Sequence, residues 1–352
     1  MTNAKLATDP VADHEIRRSE RWDRRGFVKG LGAMAGSAAL LGFDPRLAAA
    51  EPPPETTDLR LGLNPVTCDA PQYVAEELLH AEGFANVRFI KWPADTQHWP
   101  PADLLSGEVD ITVAFIPTDI INIDAGAPVV ILAGSHIGCV QVVASDHVKS
   151  TRDLKGKTVA INTDTQNFIA MFAAYVGLNP QKDINWVPRR AEDWIRLLSE
   201  GSIDAFMSGP PITLEVREKR MGHALVNTTT DKPWSNYLCC LVTSTKEFVR
   251  KHPVATKRAL RAIMKATDLC ALEPKRVARL VADKGLAPYD YTLQTLQEIP
   301  YGMWRELDPN DSLRFYALRM YELGMIKSSP QRIITEGTDW RFLNELKREL
   351  KA

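Results

Sequence analysis

Short apolar runs rich in Val, Ile, Leu and Phe alternate along this chain with longer stretches whose apolar residues recur at helical spacing. From residue 58 the pattern predicts a strand at Leu59–Leu63. A helix follows from Pro71 to Ala81, with Tyr73, Val74, Leu78 and Leu79 on one face, and then a strand at Val87–Ile90. Ala102–Ser106 reads as a short helix closed by Gly107, Asp110–Phe115 as a strand, Pro117–Asp124 as a helix and Val129–Ala133 as a strand. A second series begins with Val140–Ala144. It continues through a turn at Leu154–Lys157, a strand at Thr158–Ile161 and the apolar helix Phe168–Val176, opened by Thr163-Asp164-Thr165-Gln166. A strand near Asn185–Val187, a helix Ala191–Ser199 and a strand Ile203–Met207 complete it. After a return strand at Leu238–Ser244 the pattern is almost wholly helical to Ala352, and these helices are expected to fold back on the first series.

Strands alternating with helices signal parallel α/β sheets. The two series echo each other: Leu104-Leu105-Ser106-Gly107-Glu108-Val109-Asp110 and Leu197-Leu198-Ser199-Glu200-Gly201-Ser202-Ile203-Asp204 each close a helix on a glycine and deliver an Asp into a strand. The expected fold is therefore α/β, with two lobes of mostly parallel sheet joined by a hinge and a helical C-terminus. Lobe 1 is assigned residues 58–137 and 241–352, and lobe 2 residues 138–240. Hinge segments are placed near Ile137–Gln141 and Asn236–Leu241.

The length of 352 residues suits two domains of ordinary size, and 45% hydrophobic with 25% charged residues is a globular composition. A net charge of -1 gives no electrostatic case for nucleic acid. At the N-terminus, Arg24-Arg25-Gly26-Phe27-Val28-Lys29 precedes a Gly/Ala-rich apolar run to Phe43, which ends in Leu47-Ala48-Ala49-Ala50 and a proline-rich linker over 51–57. This reads as a twin-arginine signal over residues 1–50, cleaved after about Ala50, so the Tat translocase is a partner during export and the mature chain is periplasmic. The apolar run is shorter than the roughly 20 residues that span a bilayer, and no cysteine at the cleavage point offers a lipid anchor. A monomer is expected.

Cys68, Cys139, Cys239, Cys240 and Cys270 have spacings that match no zinc or haem pattern, and the seven histidines form no pair at helical or turn spacing. The sequence therefore supports neither metal nor cofactor. An odd count leaves at least one thiol without an intramolecular partner. A Cys68–Cys139 bridge and buried free thiols are both open, and Cys239-Cys240 reads as a strand pair with one side chain in and one out.

In open α/β sheets, ligands bind at the carboxyl ends of the strands, and the loops there are the physical candidates. In the first series these are Asn64-Pro65-Val66-Thr67, Phe115-Ile116-Pro117-Thr118 with Asp119, and Ser135-His136, His136 reading as a turn residue. In the second they are Thr163-Asp164-Thr165-Gln166, Ser208-Gly209-Pro210 and Trp234-Ser235-Asn236-Tyr237. Thr163 or Thr165 is expected to cap the helix, which would also aim free amides at a ligand. Trp234 and Tyr237 could stack on a flat ligand or pack at the hinge, and Trp92 and Trp99 could form a cleft wall or a surface cap. These loops contain Asp69, Asp119 and Asp164 and no Lys or Arg, which favours a neutral or amine-bearing ligand over a bare oxyanion, unless Arg189 or Arg190 reaches in.

Leu104 to Ile111, Leu154-Lys155-Gly156-Lys157-Thr158-Val159-Ala160, Leu197–Ala205 and the helical stretch from Phe248 through Asp268 occur in an order and spacing that resembles the nitrate/sulfonate/taurine, NMT1/THI5-like group of ABC-transporter substrate-binding proteins, over roughly residues 58–352. The resemblance implies the type II periplasmic-binding fold, capture of a small molecule between lobes that close on it, and docking to a membrane permease, without enzyme activity. A simple oxyanion such as nitrate or a sulfonate is the alternative ligand, and a sensor-input or adhesin role is a further reading. The group also extends to eukaryotic pyrimidine synthases with a cysteine-rich run where Cys239-Cys240 falls. Those enzymes carry a Schiff-base lysine and a histidine, whose matching positions here are Ala114 and Thr118, and no Lys lies between Lys91 and Lys149.

Overall fold

The computed structural model describes residues 51–64, 66–91 and 102–350, without the side chains of Ala102, Asp103 and Thr163. The export signal at 1–50, Pro65, and Trp92 and Trp99 lie outside the described residues. Among the described residues ten strands form two five-stranded sheets. The first holds β1 (Asp58–Leu63), β2 (Asn86–Lys91), β3 (Ile111–Phe115), β4 (Val129–Ile137) and β10 (Leu238–Thr245). The second holds β5 (Gln141–Ala144), β6 (Thr158–Ile161), β7 (Asn185–Pro188), β8 (Ala205–Ser208) and β9 (His223–Asn227).

The two sheets have one plan. Their orders are β2-β1-β3-β10-β4 and β7-β6-β8-β5-β9, with the first three strands parallel in each. In each, the fourth strand runs antiparallel and is supplied by the segment that crosses from the other sheet: β10 pairs with β3 and β4, and β5 with β8 and β9. The chain thus passes between lobes twice, at 138–140 and 228–237.

The repeated Asp has the same task in both lobes. Asp110 Oδ2 accepts the Arg60 N–H of β1 at 2.8 Å, while the Asp110 N–H donates to the Arg60 carbonyl at 2.8 Å. In lobe 2, Asp204 Oδ2 accepts the Thr158 N–H of β6 at 2.8 Å and the Asp204 N–H donates to the Thr158 carbonyl at 2.7 Å. Each Asp extends a ladder, β1–β3 in lobe 1 and β6–β8 in lobe 2, past its last paired residue and satisfies backbone groups that would otherwise stand open. The echoed sequence is therefore a structural staple.

The strands read from sequence are present, with three differences. β9 was not expected; its His-Ala-Leu-Val-Asn sequence has only a short apolar stretch and makes an edge strand. β4 continues through Ser135-His136 to Ile137, because β10 pairs with it as far as Leu238. Helix Thr163–Tyr175 starts earlier than its apolar run, and Asn162 is its cap: Asn162 Oδ1 accepts the Thr165 N–H at 2.9 Å, while Thr165 Oγ1 accepts the Asn162 N–H at 3.0 Å. The C-terminal helices do fold back on lobe 1. Helix Pro253–Leu272 packs on helix Ala70–Val74 and β4, and helix Pro309–Glu322 on helix Ile116–Asp124. Among the described residues no helix is long and apolar enough to cross a membrane.

Candidate functional site

The strand ends of the two lobes face each other and touch. Behind β1, the Thr67 N–H donates to the Pro210 carbonyl behind β8 at 3.1 Å. Behind β3, Thr118 Oγ1 donates to Asp164 Oδ1 at 2.7 Å, joining the first turn of helix Ile116–Asp124 to that of helix Thr163–Tyr175. Phe115 meets Phe168 edge-on, with ring centroids 5.5 Å apart. At the rim, Arg217 pairs with Glu298 at 2.6 Å and the Tyr291 hydroxyl donates to Glu218 at 2.5 Å. The lobes stand closed.

Thr67, Phe115, Thr118, Asp164 and Pro210 thus meet at the junction, with Thr165 buried beside them and Gln166 and Ser208 half-buried. Asn64 is buried on the lobe 1 side; its Nδ2 donates to Asp69 Oδ2 at 2.5 Å and to the Val113 carbonyl at 3.1 Å, and its Oδ1 has no partner among the described residues. Burial pushes the Asp69 carboxyl well above its usual range, against the Asn64 hydrogen bond. Asp119 instead turns within lobe 1, where Oδ2 accepts from Thr243 of β10 at 2.7 Å. Trp234 and Tyr237 pack on protein rings: Trp234 against Phe172 at 4.6 Å, and Tyr237 stacked on Phe315 at 3.8 Å with Arg319 over the far ring. Arg189 and Arg190 lie on the surface, Arg190 paired with Glu192. Among the described residues the buried ionisable side chains are acids, thiols, tyrosines and His136, with no Lys or Arg.

Sequence reasoning missed the densest chemistry at this junction. His136, on β4 and not in a turn, is 1% exposed; its Nε2 has no hydrogen-bond partner among the described residues, and Nδ1 lies 3.3 Å from the Ile137 carbonyl. One imidazole nitrogen is within 4.8 Å of both Cys68 Sγ and Cys139 Sγ. Cys139 Sγ is also 3.3 Å from Cys239 Sγ and 3.9 Å from Cys240 Sγ. The expectation that Cys239 and Cys240 point to opposite faces fails, because the β10–β4 pairing slips at Leu238/Cys240 and again at Cys240/Leu241, and this bulge leaves both buried near Cys139. All five cysteines are free thiols, so Cys68 and Cys139 are neighbours without a bridge. The Cys139 hydrogen bond holds the Cys68 thiol down at about 7, against burial, while burial pushes the Cys139 thiol up. The signals that could have found the cluster are the Cys-Cys doublet and a Cys placed three residues after His136, at the two crossings between lobes.

Residues 52–284 match the model of the NMT1-like family. The chain belongs to that family. In sequence, this NMT1-like chain is 24% identical over 153 residues to the bicarbonate-binding protein CmpA of Synechococcus elongatus, an alignment covering 44% of this chain and 34% of CmpA. It therefore spans about a third of the length of the curated relative it matches. In structure it resembles the periplasmic nitrate-binding protein NrtA of Synechocystis PCC 6803, with a TM-score of 0.73 at 18% identity over 85% of this chain and 90% of that one. It also resembles the alkanesulfonate-binding protein SsuA of Xanthomonas axonopodis pv. citri, bound to MOPS, with a TM-score of 0.62 at 16% identity over 80% and 96%. The expected type II periplasmic-binding fold is thus present, and these neighbours of the NMT1-like chain are binding proteins.

Proposed function

We propose that this chain is the periplasmic solute-binding component of an ABC importer, which captures a small molecule between its lobes and presents the closed form to a membrane permease. The observation that carries the reading is the direct Thr118–Asp164 and Thr67–Pro210 contact between loops at the strand ends of both lobes. Such contacts form only when the lobes are shut, and the two crossings at 138–140 and 228–237 are the segments about which they would part. Residues 58–137 with 238–352 and residues 138–237 act as the two lobes; the second boundary falls before Leu238 and not after Cys240, because β10 pairs with β4 from Leu238 onward. Export by the Tat translocase with cleavage after about Ala50, and action as a monomer, belong to the same reading.

The ligand we assign is neutral or amine-bearing: a heterocycle, an amino-pyrimidine or an amino-sulfonate. Asp69 and Asp164 are buried at the junction, and no described Lys or Arg is. An isolated oxyanion would be desolvated there with only amides and hydroxyls to receive it. Asn64, Thr67, Thr118, Asp164, Thr165 and Ser208 would supply its polar contacts. Because CmpA, NrtA and SsuA are named for bicarbonate, nitrate and alkanesulfonate, an oxyanion is the competing assignment. Thermal unfolding of the full chain against nitrate, bicarbonate, taurine, alkanesulfonates, thiamin-precursor pyrimidines and aromatic carboxylates separates the two. A ligand at 100 times its Kd adds about 2.7 kcal/mol. The midpoint is expected to rise with a pyrimidine or amine and to stay put with nitrate and bicarbonate. A rise with nitrate or bicarbonate alone overturns the ligand class, and no rise with any compound counts against capture of this kind.

A further inference from the structure

We infer that Cys139, with up to three of Cys68, His136, Cys239 and Cys240, forms a binding site for one thiophilic metal ion of the zinc(II) or copper(I) kind, buried where the two lobes meet. Three separate segments bring these donors together: the turn after β1, the end of β4 with the crossing that follows it, and the bulged start of β10. Thiolate and imidazole are the ligands that such ions prefer over hard cations. Two thiolates on one tetrahedral zinc at bond lengths of about 2.3 Å lie about 3.8 Å apart. The Cys139–Cys239 and Cys139–Cys240 separations of 3.3 and 3.9 Å bracket that value.

Three features argue against plain buried thiols. Cys139 has φ 94°, the left-handed region where a side chain is costly and glycine is usual, so its thiol is held there at the expense of backbone comfort. The β10 bulge interrupts the ladder to the edge strand β4 and leaves two successive cysteines near the same partner. His136 Nε2 is buried without a hydrogen-bond partner among the described residues while Nδ1 lies near a backbone carbonyl, and a carbonyl on the other ring nitrogen is the usual support of a metal-bound imidazole. Cys270 supplies the contrast: it is buried in helix Pro253–Leu272 and stands outside both ligand groups.

Cys68 belongs to the cleft loop of lobe 1 and Cys139 to the crossing, so an ion held by both ties the cleft to the hinge, and it can enter or leave only when the junction opens. Each thiol that becomes a ligand gives its proton to solvent. The inference is independent of the importer assignment, since the ion can bind whether or not any organic ligand does.

The test uses the reduced full chain under anaerobic conditions. Zinc(II) is titrated against a chromophoric chelator, copper(I) against a copper(I)-selective chelator, and cobalt(II) serves as a spectroscopic probe. One equivalent is expected to bind with a thiolate-to-metal charge-transfer band, and the more tightly held of zinc and copper names the ion. Cys139→Ser is expected to weaken binding by more than about a hundredfold, since loss of a mere outer partner costs 10–100-fold. Cys270→Ala should leave it unchanged. The site is refuted if the reduced wild-type chain retains no ion at micromolar free metal, if the bound ion shows no thiolate band, or if Cys139→Ser binds like wild type. Stoichiometry and band are read on the wild-type chain and do not depend on the variant folding.

Discussion

Replacing Gly138 with alanine is expected to destabilise the chain by about 3–5 kcal/mol and to lower its thermal midpoint by about 10 °C. Gly138 begins the first crossing between lobes with φ +67°, and an added Cβ would stand 2.6 Å from the Thr229 Cα of the second crossing. A backbone atom at that distance cannot turn away as a long side chain would. The two crossings are stitched here: the Cys139 N–H donates to Thr229 Oγ1 at 3.1 Å, and the Val140 N–H to Thr228 Oγ1 at 3.1 Å. Separating them to admit a methyl group would strain these bonds as well. Gly107→Ala is the control, because Gly107 also has positive φ, +78°, but a Cβ there meets nothing within 4 Å. It should cost only about 1 kcal/mol of conformational strain. Denaturant unfolding of both variants checks the pair, and equal losses would show that the crossings are not tightly matched.

Asp119→Asn is expected to stabilise the chain by about 2 kcal/mol at pH 8 and to remove a pH dependence between about pH 4 and 8. Asp119 is fully buried, and its Oδ1 has no hydrogen-bond partner among the described residues. Burial raises its carboxyl from 3.8 to about 7, with the Thr243 hydrogen bond opposing. For an acid with a raised folded pKa, the contribution to stability is fully present below about pH 4, where both states hold the proton. It is lost as pH rises through 7, because the unfolded chain ionises freely while the native site resists. The whole loss is about 4 kcal/mol. The amide avoids it but buries an N–H₂ group that lacks a certain acceptor, which takes back part of the gain. Urea unfolding of both proteins at pH 4, 6 and 8 checks this, and parallel curves would show that Asp119 is not the titrating group.

The architecture was legible because strands buried on both faces and amphipathic helices leave different spacings, and because the Leu104–Asp110 and Leu197–Asp204 segments repeat one local solution. They staple β1 to β3 and β6 to β8. The candidate loops were also legible in part: Thr67, Thr118, Asp164 and Pro210 do meet across the junction. What escaped was set by tertiary pairing. β10 extends β4 through the polar pair Ser135-His136, which single-strand periodicity reads as a loop. Asn162, one residue before the two threonines, takes the cap because its side chain reaches the N3 amide. Of the two readings open for Trp234 and Tyr237, packing at the hinge is the one found, against Phe172, Phe315 and Tyr316, which the chain delivers from other elements. The thiol–imidazole cluster joins residues up to 172 positions apart, from Cys68 to Cys240, and a bulge reverses the alternation that would have sent Cys239 and Cys240 to opposite faces. No linear spacing rule covers such a set.

Small-angle X-ray scattering of the full chain, with and without the compound that raises its thermal midpoint most, tests the central claim that the lobes close on a captured molecule. A ligand can drive closure only by binding the closed form better than the open one. The account predicts a larger radius of gyration for the free chain, and a ligand-bound profile that matches the closed arrangement with Thr118 on Asp164 and Thr67 on Pro210. Superimposable profiles at saturating ligand would contradict it.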